Sequence, residues 1–510
     1  MVLGHSIRKN SLASNRPPVD DGSDGDEEIV GKEEGSILTH IISQLRPGAD
    51  LSRVTLPTFI LEPRSMLERI TNFMAHPELL LPIATIDDPL QRFVAVTRFY
   101  LSGWHIKPPG VKKPLNPILG ETFTGWWDYP DGTRGFYIAE QTSHHPPKSS
   151  YFFMAPEHKI RIDGTLKPRS KFLGNSVGSF MEGIAIMRFL NRGERYFVTQ
   201  PNMYARGILF GKMKYELGDH AIVRCPETGF EVDIEFKVKG WMGGTYNAIG
   251  GFIKQSDSGR KLYELSGYWH GEMYIKDLTT GKTELLFDAT HAKPTPVKAR
   301  PLSEQSPRES QRLWDPTTRA IKRADQKTAT EEKTKIEDEQ RREAAERGEE
   351  SWHPKLFKAA PPGDEQSLDW IINARVDDDA PPQKQIEQIL AIAPILPGQQ
   401  VSRDSKVIEH MPSQEEKRPP QETRQQQQDH QQSGDGSGDL IDFGQNDGSS
   451  NGPVESCKKS SAATNHDLTE GMNQMNLQQP LQPTRSEGPG WPVKRMDSLG
   501  NEDTFVDAES

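Results

Sequence analysis

Glu140 to Ser150 reads E-Q-T-S-H-H-P-P-K-S-S. Two adjacent histidines run into two prolines, with a lysine and two serines behind them. Pro146 and Pro147 remove two backbone donors and fix two φ angles, so the pair is excluded from a helix interior or a central strand. His145 stands before a proline and is pushed toward an extended conformation. The residues ahead, Gly135 to Gln141 (G-F-Y-I-A-E-Q), read as a strand. His144 and His145 therefore sit on a stiff corner just after that strand. Two imidazoles on a rigid corner can donate two hydrogen bonds to one anion, and a phosphate monoester fits that geometry. A bare His-His pair is more often a solvent-facing pair in a loop, so the rest of the string carries the reading.

Around the corner, Phe123 to about Asp288 reads as strands. Phe230 to Lys239 is the clearest: Phe230, Val232, Ile234, Phe236 and Val238 alternate with Glu231, Asp233, Glu235, Lys237 and Lys239. A strict period of two gives one dry face and one wet face. Turn signals recur at P-D-G 130–132, L-G-D 217–219, D-S-G 257–259 and T-T-G 279–281. Many short strands with short turns imply a large antiparallel meander, and a meander this long should close on itself to remove its edges. A barrel of more than about ten strands encloses a cavity. The expected fold is β-rich α+β: a near-closed antiparallel β-barrel around a tunnel, with helices before and after it.

Composition frames this. Hydrophobic residues make up 34% of 510, and the mean hydropathy is −0.71, so polar sequence is concentrated at the two ends. A formal net charge of −11 disfavours general nucleic-acid binding. Cys225 and Cys457 are the only cysteines, which leaves no zinc spacing and no disulfide framework and suggests a reducing compartment. There is no apolar run of 18 residues and no signal-peptide core. A soluble, cytoplasmic protein without metal or cofactor is the expectation.

Residues 1–35 are an acidic, disordered leader containing D-D-G-S-D-G-D-E-E. In S-I-L-T-H-I-I-S-Q-L, Ile37, Leu38, Ile41, Ile42 and Leu45 fall on one helical face, with Ser36 as N-cap and Pro47-Gly48 as stop. Leu51 to Arg64 is extended, and Ser65–Phe73 and Pro89–Trp104 read as helices. Lys112 to Glu121, K-K-P-L-N-P-I-L-G-E, is a stiff loop whose polar teeth are Lys113 and Asn116. Arg319 to about Glu350 is a charged helix former, with Lys333, Glu337 and Arg341 at i, i+4 and i+8 on one face. From 391 to 510 the chain is low-complexity and cannot bury enough apolar surface to fold alone.

The corner string closely resembles the E-Q-V-S-H-H-P-P fingerprint of the oxysterol-binding-protein-related lipid-transfer family, with Thr142 in place of valine. K-K-P-L-N-P-I-L-G-E resembles a second fingerprint, and the K-x-x-x-E-x-x-x-R stripe a third. The resemblance implies a lipid-transfer domain over 36–390: a lid at 36–50, a barrel over about 115–290 and a C-terminal helical part over about 300–390. It implies a phosphatidylinositol 4-phosphate site. His144, His145 and Arg341 clamp the ring phosphate, Lys113 and Lys333 neutralise the diester, and Asn116 and Glu337 bond ring hydroxyls. L-P-T-F-I-L-E at 56–62 resembles the subgroup that carries phosphatidylserine, which implies contacts from Leu56, Thr58, Lys113, Asn116 and Ser170.

The implied function is counter-exchange of phosphatidylserine for phosphatidylinositol 4-phosphate between the endoplasmic reticulum and another membrane, the plasma membrane first. Sterol is the competing cargo. The classes that remain open beside a carrier are a non-enzymatic adaptor and a lipid-modifying enzyme, although the chain has no G-x-S-x-G and no nucleophilic cysteine motif. The end, residues 501–510 (N-E-D-T-F-V-D-A-E-S), resembles the FFAT peptide bound by VAP-type receptors of the endoplasmic reticulum, through Phe505, Asp507 and Ala508. Val506 and Thr504 depart from that pattern.

Overall fold

The structure is a computed structural model that describes residues 27–28, 47–48, 57–208, 213–238, 245–361 and 368–399. The lid helix 36–45, Leu56, most of the acidic leader, and the tail from 400 with its FFAT-like end lie outside the described residues.

A sixteen-stranded sheet dominates. Twelve strands form one antiparallel path from Thr122–Asp128 at one end to Thr283–Asp288 at the other. Pro168–Phe172, Ser176–Met181 and Asn202–Arg206 branch from Met213–Cys225, and Glu27–Glu28 pairs with its first residues. The two end strands do not pair with each other, so the sheet is barrel-like but not closed. Trp126 instead exchanges backbone hydrogen bonds with Lys298, which covers that edge. Phe123 from the first strand and Leu286 and Phe287 from the last nonetheless share one core with Phe93 and Val96 of the helix Pro89–Ser102. The sheet curls around that helix.

The helix forms where the sequence places it because Asp88 caps the amides of Leu90 and Gln91, Pro89 is pre-set for the first turn, and Gly103 ends it. Its Arg92 pairs with buried Glu194, and Tyr100 donates to the Thr199 carbonyl. Between helix and sheet lies a small apolar pocket walled by Phe99, Tyr100, Tyr151, Met187 and Val198 among others. Among the described residues no helix is long and apolar enough to cross a membrane.

The strand Phe230–Lys237 keeps its period: Val232, Ile234 and Phe236 are buried, while Asp233, Glu235 and Lys237 are exposed. Arg134–His144 and Pro147–Ala155 are buried on both faces. Their outer face (Phe136, Ile138, Phe152, Met154) is covered by Phe357, Ile372, Val376, Ile389 and Ile395. This corrects the boundary at 390. Ile395 is fully buried, Pro394 accepts from Thr124 Oγ1 at 2.8 Å, and the Gln399 amide donates to the Leu390 and Ala393 carbonyls. The polar tail therefore begins no earlier than 400, because the apolar face of the corner strands needs residues 391–399 as cover.

Candidate functional site

The loop after Lys113–Leu115 is built around a buried acid. That short strand pairs in parallel with Leu61–Ser65. Glu121 is fully buried and accepts from Ser65 Oγ, from Ser310 Oγ at 2.6 Å, from Trp314 Nε1 at 2.9 Å and from the Ile118 amide at 3.1 Å. Burial raises its pKa in spite of these donors. Gly120 has φ +74°, and a Cβ there would meet the Trp352 ring at 2.5 Å, so the loop requires glycine at this point.

Backbone bonds from Gly120 to Gln141 (3.0 Å) and from Gln141 to Glu121 (2.9 Å) stitch the loop to the corner hairpin. His144 is the last residue of one hairpin strand and Pro147 the first of the next. Thr142 is the extra residue of a bulge between the pairs Gln141–Ser149 and Ser143–Lys148. It is buried, and its hydroxyl bonds Ser150 Oγ at 2.9 Å and the Lys148 carbonyl at 3.2 Å. A threonine suits this place because both hydroxyl functions find partners. Buried Glu140 accepts from the amides of Lys355 and Leu356, which fixes the C-terminal cover to the same hairpin.

The helix Gln326–Arg347 lies across both loop and corner. Asp325 caps its Thr328 amide, and Gly348 ends it at φ +57°. Only Ala329 and Lys333 are buried along it. Ile336 packs on Leu61, Leu115, Ile118 and Trp314, and Thr58 Oγ1 bonds Gln326 Oε1 at 2.6 Å. On the wet side Lys335–Glu332, Arg341–Asp338 and Arg342–Glu339 pair at i, i+3.

Lys333 is 8% exposed and pairs with Glu337 at 2.6 Å. Lys113 faces this pair. Its pKa is lowered by burial first and by the Lys333 charge second, and Glu337 opposes both. Among the described residues no carboxylate lies within ion-pair distance of the Lys113 ammonium. Two lysines and one glutamate leave a net positive, partly desolvated place.

His144 is half-buried and His145 exposed, with ring centroids 4.5 Å apart and planes at 70°. Burial, then the neighbouring His145, pulls His144 down to about 4 from an ordinary 6.5. Asn116 is exposed on its loop. Arg341 is exposed and turned toward Asp338, off the face that carries Lys333. The reason is helical pitch: at about 100° per residue, i+8 has drifted roughly 80° from i, whereas i+7 is only about 20° away. The residue at i+7 from Lys333 is Gln340, which the sequence reading did not name. Its Oε1 accepts from the Leu119 amide at 3.0 Å and its Nε2 lies 2.8 Å from His144 Nε2. Ser170 stands elsewhere, on the branch strand Pro168–Phe172 opposite Ser179.

Three expected pieces thus meet in one place, the loop 112–121, the histidine corner and the long helix, with Gln340 touching the other two. The oxysterol-binding protein family model matches residues 40–318. An oxysterol-binding protein homolog of Schizosaccharomyces pombe is 55% identical over 352 residues, covering 66% of this chain and 74% of that protein. Oxysterol-binding protein homolog 6 of Saccharomyces cerevisiae is 49% identical over 411 residues, 78% of this chain and 91% of that protein. Among solved structures, the Osh1 ORD domain in complex with ergosterol has a TM-score of 0.56 at 23% identity, covering 72% of this chain and 91% of that one. The Osh3 ORD in complex with PI(4)P from Saccharomyces cerevisiae has a TM-score of 0.51 at 24% identity, covering 66% and 88%. The family match spans both the loop and the corner that meet at Gln340, and this chain belongs to the oxysterol-binding protein family.

Proposed function

We propose that the chain is a lipid carrier that takes phosphatidylinositol 4-phosphate at the loop, corner and helix, and exchanges it for phosphatidylserine between the endoplasmic reticulum and a second membrane, the plasma membrane first. It carries lipid intact and is not an enzyme. The observation that carries this reading is the Lys113 ammonium, partly desolvated beside Lys333 and, among the described residues, without a carboxylate in ion-pair reach. A buried unpaired charge is costly, and an arriving phosphodiester relieves that cost. His145 and His144 then face the monoester, and Asn116 and Glu337 the ring hydroxyls. Arg341 reaches the phosphate by leaving Asp338, an exposed pair worth little. The tails, on the order of 30 methylenes at about 0.8 kcal/mol each, require an apolar sheath rather than a surface patch.

Phosphatidylserine is read as sharing the mouth through Leu56, Thr58, Lys113, Asn116 and Ser170, so that the two lipids exclude each other. A VAP-type receptor holding Phe505, Asp507 and Ala508 would keep the carrier at the endoplasmic reticulum. Sterol is the second reading, supported by the apolar lining between helix and sheet and by the similar Osh1 ORD domain solved with ergosterol. Purified full-length protein between two vesicle populations tests all of this. The proposal expects phosphatidylserine to move one way and phosphatidylinositol 4-phosphate the other, each accelerating its partner. Sterol moving in place of phosphatidylserine establishes the second reading. Chemically altered lipid, or no transfer at all, defeats the carrier.

A further inference from the structure

We propose that Gln340 is a latch on the histidine corner: its amide holds His144 with Nε2 as an acceptor, and a phosphate gains His144 as a donor only when that contact breaks. The inference rests on the reading of the corner as a phosphate site. The Leu119 backbone N–H can only donate, so the Gln340 atom 3.0 Å away is the oxygen. Turning the amide over would set two donors against each other there. The nitrogen is therefore the atom 2.8 Å from His144 Nε2, and because an amide nitrogen only donates, the imidazole nitrogen accepts.

The proton of the neutral ring then sits on Nδ1. That nitrogen is buried and forms no regular hydrogen bond. Of the charged groups on the packed elements (His145 and Lys148 on the corner, Lys113 on the loop, Glu337, Arg341 and Glu343 on the helix), only His145 acts on the ring's ionisation, and the Pro117 backbone opposes it. The ring stays neutral at pH 7.

At pH 7 a phosphate monoester is mainly the dianion, which offers acceptors only, so it meets a lone pair at Nε2 and is refused. Three routes admit it: the ring turns over, it takes a second proton, or its proton moves to Nε2. Each removes the Gln340 contact. The same amide holds Leu119, so an anion at the corner is felt at once by the helix and by the loop that carries Lys113. Exposed His145 is the first donor to the phosphate, and His144 the second, conditional one. Gln340 is a positioning residue that acts through His144.

The test uses imidazole nitrogen NMR on full-length, delipidated protein, with a short-chain phosphatidylinositol 4-phosphate as probe. Ligand-free wild type is expected to show His144 protonated at Nδ1 and bare at Nε2, and the probe to protonate Nε2. In Gln340→Glu the carboxylate keeps the Leu119 bond and accepts from Nε2–H, so His144 titrates above 6.5 instead of near 4. In Gln340→Ala the probe binds about three- to tenfold tighter, whereas a merely structural tie predicts weaker binding. His144 found protonated at Nε2 in the ligand-free wild type, or equal or weaker probe binding by Gln340→Ala, overturns the latch. If wild type binds no probe, the phosphate reading fails, and the ligand-free tautomer still decides how Gln340 holds the ring.

Discussion

The strand Phe230–Lys237 and the helix Gln326–Arg347 are held by opposite means. The strand buries Val232, Ile234 and Phe236 completely and leaves its charges in water. The helix is polar nearly all round, and along it only Ala329 and Lys333 are buried. It stays in place through Ile336, Thr58–Gln326, Arg308–Glu343 and the Gln340 amide. Apolar burial fixes an element non-specifically and strongly. A few polar contacts fix one weakly, at defined atoms. The barrel is therefore the part that must not move, and the helix the part a charged headgroup can compete for.

Substituting the two elements should separate stability from binding. The largest effect is expected from Ile234→Asp, which puts an unpaired carboxylate in the core. That penalty is comparable with a whole domain's stability of about 5–15 kcal/mol, so little folded protein should be recovered. A cooperative, near-wild-type melt would break the contrast.

Next comes the pair His144→Ala with His145→Ala. Loss of two donors at the corner should weaken phosphatidylinositol 4-phosphate extraction by about a hundredfold, roughly 2–3 kcal/mol. The melting temperature should move by only a few degrees, because neither ring supports the core. Extraction by the folded double variant at wild-type level would remove the corner from the site.

Acid should loosen the molecule by a similar or smaller amount. His144 and His105 are both lowered to about 4, His105 by burial and then by His76, whose Nε2 lies 2.9 Å from its own. An unfolded histidine titrates near 6.5, so between about 6.5 and 4 the unfolded chain binds protons that the fold refuses. Stability is then highest above 6.5 and falls as pH drops toward 4. From pH 7 to 5 the loss should be about 2 kcal/mol for each ring at full shift, and about half that once solvent screening of these part-exposed imidazoles is allowed for, read by denaturant titration. A flat profile over that interval would show both rings titrating in the fold as they do in the unfolded chain, near 6.5.

The smallest shift sharpens the comparison most. Lys113→Met removes a desolvated charge, so the melting temperature should rise by about 1–2 °C while headgroup affinity falls about tenfold. A variant that loses stability and binding together would make Lys113 a structural lysine.

The sequence determined most of the scaffold by itself. Alternation in 230–239, the turn triplets at 130–132, 257–259 and 279–281 and the cap and stop of the helix at 89–102 are local signals that depend on nothing far along the chain. L-G-D at 217–219 instead lies inside the strand Met213–Cys225, where neighbours on both sides keep the chain extended. Two of the three strings that form the candidate site were legible for the same reason: their prolines and glycine restrict the backbone wherever they stand, whereas the helix stripe rests on its i, i+4, i+8 spacing alone. Tertiary structure decided the rest. Residues 391–399 read A-I-A-P-I-L-P-G-Q, an apolar run grouped with the polar tail beyond it, and what it covers, the outer face of Ile138 and Phe152 under Ile395, is seen only in the fold. Gln340 looks like any polar residue of a charged helix until Leu119 and His144 arrive on either side of its amide. Arg341 fits the written spacing, yet the pitch of the helix turns it to solvent. Periodicity reports which face of an element is dry. It does not report which distant atoms will meet there, because those contacts form only after the core has closed.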